Sequence, residues 1–117
     1  SIWEGSGNVI CLDALRTLDD KAHLAYALNE AAGLALAAGR PQDAAARAGE
    51  ALDAARAVRR PTEAVVALAR LACATPDRGR AARWLAQAAT TGLSARAAEA
   101  LADATRAVST IAPTDGA

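Results

Sequence analysis

Residues 21–41 read KAHLAYALNEAAGLALAAGRP, and this stretch decides the fold. Leu24, Leu28, Ala31, Ala35 and Ala38 recur at three- and four-residue spacing, which lays them on one face of a helix. Alanine is the best helix former because its side chain loses no entropy on folding. Gly39 supplies the residue that ends a helix in the left-handed conformation. Pro41 has no backbone N–H to lose and a preset φ, so it suits the first turn of a new helix. The pattern is helix, tight turn, helix, and so short a connection favours antiparallel neighbours.

The same grammar extends in both directions. Residues 42–58 form a helix with Ala45, Ala48, Leu52, Ala55 and Val58 as its stripe. Arg59-Arg60-Pro61-Thr62 marks the next boundary, and residues 62–74 follow with Val65, Val66, Leu68 and Leu71. Thr75-Pro76-Asp77 is a turn and a start signal for residues 78–90, which hold Trp84 and Leu85. Thr91-Gly92 ends that helix, and Ser94 caps residues 95–109, with Leu101 and Val108. On the other side, Asn8 offers a cap for residues 9–18, and Asp19-Asp20 is expected to break the chain before residue 21. No segment alternates as a strand does. The expectation is an all-α fold, a helical bundle or stacked antiparallel helical hairpins, with about five to six helices. Residues 1–18 read as a loop and helix, 19–111 as an Ala-rich helical domain, and 112–117 as a disordered tail.

Composition narrows the function. Phe and Met are absent and only Trp3, Trp84 and Tyr26 are aromatic, so the core is thin and Trp84 is expected to anchor it. The net charge is +0, but unevenly spread. Residues 1–39 hold five acids against Arg16 and Lys21, while residues 40–106 hold eleven Arg against seven acids. Cys11 and Cys73 stand alone among apolar neighbours, which reads as buried free thiols in a reducing, cytoplasmic setting and not as a metal site. His23 has no Cys or carboxylate at ligand spacing, so no metal is expected. Ser6, Ser94 and Ser109 have no histidine near them in sequence, so a Ser-His-Asp site has no support. No basic leader precedes an apolar segment, and no run of apolar residues suits a membrane span.

The stretch Ser1-Ile2-Trp3-Glu4-Gly5-Ser6-Gly7-Asn8, followed by Leu12-Asp13-Ala14-Leu15-Arg16, carries most of the chemical information. Gly5 and Gly7 let backbone approach a flat ligand, a carboxylate sits between an aromatic and a glycine, and the next helix start offers N–H groups to an anion. These residues resemble the C-terminal active-site segment of the acyl-CoA dehydrogenase family, in its branch related to the bacterial adaptive-response (alkylation-response) proteins. The resemblance implies that Glu4 is the general base for the α-proton of an acyl-CoA thioester, while FAD accepts the β-hydride. It places Gly5 and Ser6 beside the flavin and Trp3 in the acyl site. It also implies a fragment of a longer protein. The family's flavin pocket uses an N-terminal helical domain, a central β-domain and a neighbouring subunit, so this chain alone is expected to be inactive and to partner with the remainder of the flavoprotein or its neighbouring subunit.

Two other readings fit the body. One is a tetratricopeptide-like protein-interaction module, with Leu28, Gly39, Ala44, Ala51 and Leu52 near small-residue positions of that repeat. The other is DNA contact through Arg56, Arg59 and Arg60 together with Arg78, Arg80 and Arg83. The resemblance adds to the latter, because the adaptive-response branch is linked to DNA through an extra C-terminal domain. If DNA binds, these six arginines are expected to share one face.

Overall fold

The computed structural model describes the backbone of residues 6–89 and 91–111, and side chains from Asp20 onward within them. Five helices follow in order: α1 (Ser6–Ala37), α2 (Pro41–Ala57), α3 (Pro61–Ala74), α4 (Arg78–Ala86) and α5 (Ala95–Ser109). There is no strand among the described residues.

Local chemistry explains the boundaries. Gly39 takes φ 76, and Arg40 N–H returns to the Ala35 carbonyl at 2.8 Å, which closes α1. Arg59 takes φ 54, and Arg60 N–H returns to the Ala55 carbonyl at 2.9 Å, which closes α2 in the same way. A proline opens the next helix in both cases. The Asp77 carboxylate accepts from Gly79 N–H at 2.9 Å and caps α4. Ser94 Oγ accepts from Ala97 N–H at 3.2 Å and caps α5.

The N-terminal half differs from expectation. Segments 9–18 and 21–38 are one helix, α1, which passes through Asp19-Asp20 without a break. Aspartate disfavours a helix interior only mildly. It stops a helix only with help from glycine or proline, and neither is near. At 32 residues α1 is about 48 Å long, against about 25 Å for the 17 residues of α2. The N-terminal part of α1 therefore extends beyond its hairpin partner. At the other end α4 stops at Ala86, short of the expected residue 90. There Gln87 and Ala88 donate to Trp84 and Leu85 in a tightened last turn.

Packing forms two layers. α1, α3 and α5 run the same way: α5 begins beside the start of α3, where Thr62 Oγ1 lies 3.1 Å from Ser94 Oγ, and ends with Val108 against Ala72. α2 and α4 run back between them. α3 touches all four other helices and is the most buried element, through Val65, Val66, Leu68 and Leu71. The buried face of α1 is Ala25, Asn29, Ala32 and Ala35. Leu24, expected inside, is 50% exposed. The small side chains at 25 and 32 let neighbouring helices approach closely, so the face turns toward them and away from the larger Leu24. Trp84 is half-buried at the edge of two clusters and is not the central anchor expected of it.

Candidate functional site

Trp3, Glu4 and Gly5 lie outside the described residues, as does the segment 112–117. Ser6 opens α1. Among the described residues no three His, Cys, Asp or Glu side chains gather as metal ligands would. No described helix is long and apolar enough to cross a membrane.

The arginines are well placed, and five of the six form one band. Arg56, Arg59 and Arg60 surround a groove of about 450 Å³ whose floor is Ala55, Pro61 and Ala64. Arg80 and Arg83 border a second groove, about 220 Å³, together with Trp84 and Gln87. Arg56 Nη2 donates to Gln87 Oε1 at 3.1 Å, which ties the end of α2 to the end of α4 and joins the two grooves. Arg60 continues the band to a third hollow with Ala22, His23, Tyr26 and Glu63. Arg78 is half-buried at the start of α4 and borders neither groove. Among the described residues, none of Arg56, Arg59, Arg60, Arg80 and Arg83 has a carboxylate within ion-pair distance.

The structure also shows a polar network that the sequence reading passed over. Asn29 is fully buried on α1 and donates from Nδ2 to the Glu63 carbonyl and to Glu63 Oε1, each at 3.0 Å. Arg96 on α5 donates from Nε to Glu63 Oε2 at 3.1 Å and from Nη2 to Glu30 Oε2 at 2.9 Å. Its guanidinium lies 4.6 Å from the centre of the Tyr26 ring. Burial works against the charged form of Arg96, but its bonds to Glu63 and Glu30 outweigh this and raise its pKa. Arg70 Nε reaches the Asn29 carbonyl at 3.4 Å, in space left by Gly33, where a Cβ would lie 3.2 Å from the Arg70 guanidinium. Glu63 is 34 residues after Asn29 and 33 before Arg96, so equivalent places on α1, α3 and α5 meet at a nearly constant interval. That interval of polar residues on otherwise apolar faces was the signal available in the sequence.

Cys73 is half-buried, not buried as expected, and carries no disulfide. Desolvation raises its pKa; nearby Arg70 opposes this and Asp103 adds to it. A raised thiol pKa keeps it protonated and a poor nucleophile at neutral pH.

Compared with known proteins, a 31-residue segment is 58% identical to the protein named "Putative acyl-CoA dehydrogenase AidB" of Escherichia coli (strain K12). The match covers 26% of this chain and 6% of that relative's length. No protein-family model matches the chain, and no solved structure matches it.

Proposed function

We propose that this chain is a C-terminal piece of an FAD-dependent acyl-CoA dehydrogenase-like protein, inactive by itself, in which the whole protein desaturates an acyl-CoA between Cα and Cβ. The observation that carries the reading is the 58% identity over 31 residues to the protein named "Putative acyl-CoA dehydrogenase AidB". The Trp3-Glu4-Gly5-Ser6-Gly7-Asn8 stretch, which resembles that family's active-site segment, names the residues that would act in it. In this reading Glu4 takes the α-proton of the thioester, and Trp3 lines the acyl chain. Gly5 and Ser6 bring backbone against the flavin, whose contribution when bound is to accept the hydride from Cβ. α1 begins at Ser6, and a helix N-terminus favours an anionic group. In this reading the rest of the flavin pocket comes from the remainder of the protein or a neighbouring subunit, in the cytoplasm.

The test is to express the chain together with the coding sequence upstream of Ser1 and to record its visible spectrum. A bound flavin that an acyl-CoA bleaches without air is the expected result. Glu4→Gln should keep the flavin and slow bleaching by about 100-fold or more, as loss of a general base does. Absence of flavin, or bleaching unchanged by Glu4→Gln, would overturn the assignment.

A second reading rests on a different observation. The repeated meeting of α1, α3 and α5 at 33–34 residues, with α2 and α4 returning between them, matches the roughly 34-residue period of tetratricopeptide-type arrays. It favours a protein-interaction role for the helical body, which a flavoprotein's extra domain can also serve.

A further inference from the structure

We propose that the arginine band between α2, α3 and α4 docks an acidic, amphipathic peptide segment of a partner protein. The inference stands on the grooves themselves and does not depend on the flavoprotein reading; it deepens the interaction reading by naming the partner's chemistry.

Three observations converge on it. The larger groove has an apolar floor, Ala55, Pro61 and Ala64, whose side chains are too small to fill it. A leucine- or isoleucine-sized side chain would fit there and gain from leaving water. Around that floor stand Arg56, Arg59 and Arg60, and the Arg56–Gln87 hydrogen bond leads on to Arg80, Arg83 and the half-buried face of Trp84. Five guanidinium groups without a carboxylate partner among the described residues, beside carbon-rich surface, complement a segment with acids on one side and aliphatic residues on the other. Finally, Arg59 holds a left-handed backbone at φ 54, in the turn geometry that Gly39 adopts at φ 76. Glycine is the cheaper occupant of such a turn. An arginine there costs backbone energy, and it places a guanidinium on the rim of the groove.

Charge favours peptide over polynucleotide. The chain's net charge is +0 and Glu50 and Asp53 are exposed on the same helix as Arg56, so no strong long-range field draws in a polyanion. The apolar floor gives a phosphodiester backbone nothing to bind. A peptide uses both halves of the surface.

The experiment is fluorescence anisotropy of the 117-residue chain with a fluorescein-labelled Leu/Glu peptide that has leucine at helical i, i+3, i+4 spacing. Saturable binding is expected, weakening as salt rises. Arg56→Glu and Arg83→Glu should each lower the affinity about tenfold. Both positions are exposed, and a circular dichroism spectrum checks that each variant stays folded. A control peptide of the same composition, with the leucines scattered around the helix, should bind at least about tenfold more weakly. Equal binding of the two peptides would reduce the surface to simple charge attraction and overturn the proposal. So would binding unaffected by either reversal, or binding of a single-stranded oligonucleotide in preference to the peptide. Self-association of the unliganded chain, lost in the same two variants, would assign the band to a second copy and overturn it as well.

Discussion

At the scale of single residues, Arg59 is where backbone and side chain pull apart. An L-residue held in the left-handed region costs roughly 1–2 kcal/mol, because Cβ crowds the following carbonyl oxygen. Gly39 avoids that cost in the matching turn between α1 and α2, with the same return of the next N–H to the helix. Arg59→Gly should therefore raise stability by about 0.5–1 kcal/mol, less than the full strain because glycine also has more freedom to lose on folding. A higher urea midpoint with an unchanged slope would show it. A midpoint that stays put or falls would mean that the arginine side chain contributes more by packing than its backbone loses. The sequence marks this position as a helix end through Pro61, yet it says nothing of the strain. The next residue but one being proline restricts Arg60 and leaves the conformation of Arg59 to the fold.

At the scale of elements, what could be read from the sequence divides along the range of the forces involved. Pro41, Pro61, Asp77 and Ser94 each act on their own first turn, so four helix starts were readable to within a residue. The continuity of α1 was not, because Asp19-Asp20 can cap a helix only where the backbone has already left it, and nothing local makes it leave. Nor was the buried face of α1. A helix this rich in alanine has no unique apolar stripe, and the choice between Leu24 and Ala25 belongs to the helices it meets. The joining of α1, α3 and α5 through Arg96 showed in the sequence only as polar residues at a 33–34-residue interval, with nothing local to say that they meet. That joint makes a sharp prediction. Glu63 is held on two sides by Arg96 and Asn29, and its side chain is only 13% exposed. Arg96→Met would leave it short of partners and should cost about 1–2 kcal/mol, the value for a charged hydrogen bond reduced because Arg96 itself is partly in water. Arg96→Lys should recover less than half of that. A lysine point charge cannot bridge two carboxylates and lie over the Tyr26 ring at once. Full rescue by lysine in urea unfolding would show that charge alone, not the planar fork, joins the three helices.

At the scale of the whole molecule, the arginine band and the core have opposite histories in the sequence. The two arginine clusters were visible as clusters, but their union needed Gln87 at the end of one helix to find Arg56 at the end of another. The core was visible only as a shortage. Among the described residues, sixteen of the twenty-two buried apolar residues are alanine, leaving three leucines and three valines as the only larger side chains fully inside. Each large side chain therefore carries an unusual share of the stability. Leu68 is 2% exposed on α3, the helix that touches all the others, whereas Leu34 on α1 is 73% exposed. Leu68→Ala should cost about 2–5 kcal/mol through lost burial and the cavity left behind. That is a large fraction of the roughly 5–15 kcal/mol that holds a typical domain together, and a thin core places this chain toward the lower end. Leu34→Ala should change stability by less than about 0.5 kcal/mol. The shape of the transition tests the architecture too. Because α3 packs against all four other helices, the Leu68 variant, with Trp3 replaced by Phe so that fluorescence reports Trp84, should unfold in one step, with helix signal and fluorescence changing together. Two separated steps would mean that α1 and α2 hold together without α3, and that the molecule behaves as loosely coupled repeats instead of one cooperative unit.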